Sequence, residues 1–172
     1  ICSGCGNKGP AYDRLPERRF QFVPLWGIAV GLVYAMRRVN CRQCGVKVER
    51  VPWAAGKHQL TWSYVWFLAR WGRRLSWAEV ARTFSSSWST VFRAVEMAVE
   101  WGRERMPMDG ITAIGVDEVL WKRGHHYLTV VYEIARHRCR LLWVGENREE
   151  VSFEGFFTWL GAHRAAIRYV CS

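Results

Sequence analysis

Acidic charge is scarce in this 172-residue chain: 15 Asp+Glu stand against 25 Lys+Arg, a formal net charge of +10. That balance says little about fold but favours a polyanionic partner, either nucleic acid or an anionic membrane surface. Cysteine is sparse, with six residues, too few for a disulfide-dense scaffold of this length. Disorder and low complexity are excluded because half the residues are hydrophobic, and no internal repeat stands out. A membrane-spanning run is lacking too. The nearest candidate, Phe20 to Met36, is broken by Pro24, Gly27 and Gly31 and is at or below the ~20 apolar residues a spanning helix needs. From Ile28 its apolar residues recur with period two, so it predicts two strands around a Pro24–Gly27 turn, and no membrane partner is expected. The chain begins at Ile1 with no charged leader and stops at Cys171-Ser172 after an apolar run; it reads as a piece of a longer product.

What charge there is gathers at the front. Residues 1–60 hold ten Lys+Arg against three Asp+Glu, residues 61–110 seven against five, and residues 111–172 eight against seven. A localised basic region suggests a docking surface, and Arg37 and Arg38, directly after the apolar run, are candidate DNA contacts within it. A merely solvated basic face is the alternative.

Four of the six cysteines form two tight pairs, Cys2-x-x-Cys5 and Cys41-x-x-Cys44, each followed by glycine (Gly6, Gly45). A CxxC turn can aim both sulfurs at one ion, and the glycine lets the backbone fold back beneath it. Two such turns at the ends of a hairpin predict a four-thiolate, tetrahedral, structural Zn²⁺ site, a zinc ribbon. Folding of the small lobe would then depend largely on the ion. A redox dithiol and coincidental core cysteines are the alternatives. Cys139 and Cys171, single residues in apolar runs, are expected to be buried thiols.

In the middle, Leu60, Tyr64, Phe67, Leu68 and Trp71 follow a helical pattern that Gly72 ends. Ser76-Trp77-Ala78-Glu79 is a capping box opening a second helix, with Trp77, Val80, Ala81 and Phe84 on its apolar face. Ser85-Ser86-Ser87 break it, and a third helix is predicted from Trp88 to Arg105 with Val91, Val95 and Ala98 inward. Two short amphipathic helices across a tight polar turn fit a helix-turn-helix. In that motif the N-terminal residues of the second helix reach base edges, here Ser87, Ser89, Thr90 and Arg93. Glu96, Glu100 and Glu104 follow and would be repelled by phosphate. An ordinary three-helix packing unit is the alternative.

The last third reads as strands at Ile111–Leu120, His126–Ile134 and Arg140–Val144, an amphipathic helix at Glu149–Leu160, and a strand at Ala166–Val170. Three hairpin-connected strands, a helix and another strand are the opening of a ribonuclease-H-like fold. Such a fold does phosphodiester chemistry with paired Mg²⁺ ions held by carboxylates. Asp117, set in the apolar run Ala113-Ile114-Gly115-Val116, suits the first carboxylate position; an exposed strand-end acid is the alternative. The second carboxylate is expected just after Cys171-Ser172.

These residues together resemble a known family. The two CxxC pairs, Trp53-Ala54-Ala55-Gly56-Lys57-His58, Arg74-Leu75-Ser76-Trp77, Ile114-Gly115-Val116-Asp117-Glu118, Gly124-His125-His126-Tyr127-Leu128-Thr129 and Leu142-Trp143-Val144-Gly145-Glu146 are similar, in the same order, to the ISL-three family of bacterial insertion-sequence transposases. The resemblance implies an α+β multi-domain chain: a zinc ribbon (1–56), a helix-turn-helix that binds the terminal inverted repeats of a transposon (57–109), and part of a ribonuclease-H-like DDE domain using Mg²⁺ or Mn²⁺ (110–172). Asp117 matches the first D, as catalytic residue and magnesium ligand. The second D and the final E have no counterpart, so this chain alone is expected to be inactive. Double-stranded transposon-end DNA is the implied partner, a homodimer the implied assembly, and the bacterial cytoplasm, on the nucleoid when bound to DNA, the implied location. Two readings of other classes stand beside this one: a non-catalytic DNA-binding regulator or inactive remnant, and a zinc-ribbon protein-interaction module.

Overall fold

Trp26 (φ 51°) and Gly27 (φ 80°) turn the chain between its two longest strands. Left-handed backbone at both central positions is the geometry whose twist matches the strands of a two-residue hairpin loop. The computed structural model describes residues 1–135, 138–146 and 150–172. They form two compact units, Ile1–Arg105 and Met106–Ser172.

The first unit opens with that hairpin, β1 (Ala11–Leu25) and β2 (Ile28–Cys41), and β3 (Gly45–Val48) completes an antiparallel sheet in the order β1-β2-β3. The expected strands around Pro24–Gly27 are therefore present, and they extend well beyond the apolar run on both sides. Phe20, Met36, Val51 and Ala54 form a small core on this sheet. Three helices follow: α1 (Trp62–Gly72), α2 (Trp77–Thr83) and α3 (Trp88–Glu104). Each starts at a side-chain cap. Thr61 Oγ1 accepts from Tyr64 N–H, Ser87 Oγ from Thr90 N–H, and Ser76 and Glu79 close the reciprocal box foreseen from their spacing. The helices pack through Tyr64, Val65, Leu68, Val80, Val91, Ala94 and Met97. The buried face of α3 is thus centred on Ala94 rather than on the expected Val95 and Ala98, which lie half-buried on its flank. A stripe of period 3.6 is broad enough for either line.

Hairpin and helices are stitched at Gln21. Gln21 N–H donates to Gln59 O (2.7 Å), and Gln21 O accepts from both Thr61 N–H (3.0 Å) and the Thr61 hydroxyl (2.9 Å). Val23 of β1 packs against the helical core.

The second unit is a four-stranded sheet in the order β6-β5-β4-β7, built from β4 (Ala113–Lys122), β5 (His126–Ala135), β6 (Arg138–Glu146) and β7 (Tyr169–Cys171). Helix α4 (Glu150–Leu160) and a 3₁₀ turn (Gly161–Ala166) connect β6 to β7, and β7 runs parallel to β4. Two differences from the sequence reading stand out. β4 continues to Lys122, so Asp117 lies in its middle. The segment expected to open the last strand at Ala166 ends a 3₁₀ turn instead, leaving only Tyr169–Cys171 paired. Glu149, the expected first residue of the helix, lies outside the described residues.

Ile114, Val131, Leu142, Phe156 and Leu160 make the core between α4 and one face of this sheet. Register partners share a face, which puts Tyr132, Ile134, Cys139, Leu141 and Val144 on the other face. There Ile134, Leu141, Val144 and Cys139 are exposed, as is Cys171 on β7. The expectation of buried thiols at Cys139 and Cys171 is corrected: both sit on strands at the sheet's edges.

On the core face Glu133, 1% exposed, accepts from Arg140 Nε at 2.6 Å, and Arg140, 19% exposed, also donates to Pro107 O at 2.6 Å. Arg140 gives this buried carboxylate a charge-assisted hydrogen bond, whose loss is destabilising even where the carboxylate keeps other interactions. Arg140→Ala should therefore lower the unfolding free energy of the second unit by about 1.5–3 kcal/mol, read from urea denaturation of the full chain.

Candidate metal centre and nucleic-acid interface

The two CxxC turns converge. Ligand atoms of Cys2, Cys5, Cys41 and Cys44 all lie within 4.8 Å of one another, and Cys5 and Cys41 sulfurs are 3.5 Å apart. Four sulfurs about 2.3 Å from a central ion stand a little under 4 Å apart along tetrahedral edges, so the set fits a tetrahedral thiolate-bound metal. Cys2 and Cys41 are buried, and Cys5 and Cys44 half-buried. Gly6 (φ 77°) and Gly45 (φ 69°) carry the chain out of each turn in left-handed backbone that a side chain would strain.

The local fields differ from thiol to thiol. The backbone N–H groups of Cys5 and Gly4 point at Cys2 and lower its pKa to about 7, and Cys41 is lowered likewise by Cys44 and Gln43 N–H groups. Cys44 is pushed up to about 12, first by the Cys5 sulfur beside it and then by burial. Four sulfurs this close resist carrying four negative charges, and a divalent cation relieves that repulsion.

Residues from different elements meet at the start of α3. Ser87 Oγ lies 2.9 Å from Ser89 Oγ and 2.8 Å from Thr90 Oγ1. Ser89, Thr90 and Arg93 line one side of a cleft of about 320 Å³, and Gln21, His58 and Gln59 line the other. An adjoining cleft of about 450 Å³ includes Arg19, Gln21, Ser86, Ser87 and Thr90. The structure thus brings the four expected α3 residues together and adds Arg19, Gln21, His58 and Gln59. Arg19 reaches the cleft across Gly31, where a Cβ would come within 2.5 Å of its Nε.

Arg37 and Arg38 stand apart from that cleft, on β2 near the cysteine end. Arg38 is held by Asp13, whose carboxyl it keeps below the usual range, and it lies over the Tyr12 ring. Arg37 is exposed and is the register partner of Arg14. Like charges directly opposite each other cost stability, a cost that a bound polyanion removes. Arg14 could have been found from the sequence once the hairpin register was known; Arg19 could not, because its approach to α3 depends on the Gln21 stitch.

Asp117 is exposed in β4 opposite Val130, and its Oδ1 accepts from Glu118 N–H at 2.8 Å. A carboxylate oxygen is the hard donor that Mg²⁺ prefers.

Metal binding must displace thiol protons, so affinity should fall as pH falls. Below about pH 7, where Cys2 also takes up its proton, the slope of log affinity against pH should steepen by about one proton. Competition against a chromophoric chelator across pH measures this. Cys44→Ser should lose tight binding in the same assay.

With these sites in place, comparison with known proteins becomes informative. A family profile of the ISL3 DDE type, described as transposase, matches residues 114–172. Over 169 residues the chain is 33% identical to the transposase for insertion sequence element IS1557 of Mycobacterium tuberculosis, covering 96% of this chain and 37% of that protein. It is 27% identical to the transposase for insertion sequence element IS1001 of Bordetella parapertussis, covering 93% of this chain and 39% of that protein. The chain thus spans little more than a third of the curated relatives it matches. No solved structure matches it. No helix among the described residues is long and apolar enough to cross a membrane. Residues 114–172 match the ISL3 family of transposases, and the chain as a whole is similar to transposases of insertion sequence elements.

Proposed function

We propose that this chain serves DNA transposition as the DNA-binding front of a DDE transposase. Residues 1–56 act as a zinc ribbon with Cys2, Cys5, Cys41 and Cys44 holding a structural Zn²⁺. Residues 57–109 act as a helix-turn-helix whose Ser87, Ser89, Thr90 and Arg93 meet base edges of the terminal inverted repeats, with Arg37 supporting phosphate contact. Arg38 contributes less charge to DNA because Asp13 already engages it. Residues 110–172 supply the first part of a ribonuclease-H-like domain. A homodimer would pair two transposon ends, on the nucleoid.

The observation that carries this reading is the register of β7 on β4. Ala113 pairs with Tyr169, Ile114 with Val170 and Gly115 with Cys171. Continued in parallel, that register sets the position immediately after Ser172 beside Asp117. A second carboxylate there would share a divalent ion with Asp117, as in-line phosphodiester displacement requires. Mg²⁺ or Mn²⁺, when bound, would neutralise charge on the attacking and leaving oxygens. Asp117 contributes one oxygen donor from a sheet position that fixes its place.

Gel shifts against inverted-repeat and scrambled duplexes test the recognition half. Preferential binding of the repeat is expected, with Arg93→Ala weakening it by about 1–3 kcal/mol; equal affinity for both duplexes would remove specific recognition. This chain alone should neither cut nor join strands with Mg²⁺ or Mn²⁺, and cutting that depends on Asp117 would overturn that part.

A further inference from the structure

Among the described residues, β6 accompanies β5 from Ala135 back to Thr129, the partner of Glu118. Beyond that rung the antiparallel pair of β4 and β5 continues as a hairpin arm whose last pair is Lys122 with His126. Every residue from Asp117 to His126 is exposed.

The arm is cationic and aromatic. It carries Trp121, Lys122, Arg123, His125, His126 and Tyr127, and between Glu118 and Glu133 the sequence has no carboxylate. Its one irregularity falls at Trp121: Leu120 pairs with Tyr127 and Lys122 with His126, leaving Trp121 the extra residue of a bulge, 58% exposed. A bulge re-aims a side chain, and here it spends one on presenting an indole to water. At the tip His125 sits in left-handed backbone (φ 61°), its ring stacked 6.5 Å from that of Tyr127.

We propose that this arm grips unpaired nucleotides of DNA beside Asp117, with Trp121 stacking on a base and Lys122 and Arg123 pairing with phosphates. The inference rests on the transposase reading above. Cations alone would serve any phosphate backbone. The exposed rings narrow the choice, because bases in a paired duplex hide their faces against one another and offer only edges. Ring area is matched where bases are unpaired, and stacking of that kind tolerates any sequence. Trp121 lies four positions beyond Asp117, about 13 Å of strand. The grip therefore falls a few nucleotides from the phosphate that Asp117 would serve.

The test uses the full chain loaded with zinc and two probes: a duplex forked at one end, and its fully paired counterpart. p-Benzoylphenylalanine replaces Trp121, Ser89 or, as control, the exposed Val151 of α4. Position 121 should crosslink to the forked probe in preference to the paired one, position 89 to both, and position 151 to neither. In binding assays Trp121→Ala should weaken the forked probe roughly tenfold and leave the paired one unchanged. The Lys122→Ala/Arg123→Ala variant should make the log–log salt slope shallower by about 1.4. Crosslinking at 89 without 121, or at 121 equally to both probes, would overturn the arm's role while leaving DNA binding intact. Crosslinking at neither 89 nor 121 would overturn the proposed DNA binding with it.

Discussion

Four sulfur atoms confined within 4.8 Å of one another are the constraint on which the front of this molecule depends. The hairpin sheet buries little: Phe20, Met36, Val51 and Ala54 are its own core, and a lobe of that size rarely folds on apolar burial alone. Closing both CxxC turns on one ion would supply the missing free energy. The same closure fixes where β1 starts and β2 ends, and hence where every arginine between them points. Cys44, pushed up to about 12 by its hydrogen bond with the Cys5 sulfur and by burial, is a thiol that a metal ion would have to deprotonate.

From that anchor, order passes to the helices through the bonds at Gln21. They seat the segment before α1 against β1, bury Thr61 as the cap of α1 and bring Arg19 alongside the start of α3. The metal lobe and the helices therefore share one compact unit. A basic hairpin and a polar helix N-terminus, weak signals apart, become the two walls of one cleft.

Much of this was legible in residue spacing because it is local. The CxxC pairs, the Ser76–Glu79 box, the turn within Pro24–Gly27 and the span of α3 each follow from interactions within a few residues. What escaped depends on distant partners. Gly31 reads only as a break in the apolar run until Arg19 is seen lying across it. The strand bearing Asp117 reads as closing at Leu120, yet pairing with β5 carries β4 on to Lys122. Cys139 and Cys171 read as buried because apolar neighbours surround them in sequence, but which face α4 covers is settled only when the sheet assembles. The residues read as DNA contacts at the start of α3 do come together, whereas Arg38 was already engaged by a carboxylate 25 positions away.

The sheet face turned away from α4 has a practical consequence. Ile134, Leu141, Val144 and Tyr169 leave an oily plane in contact with water, and nothing in their chemistry tells a proper cover from an improper one. Purified by itself, the chain will seek company through that plane as its concentration climbs. Detergent, dilution or a fused helix with one greasy side is the natural remedy for handling it.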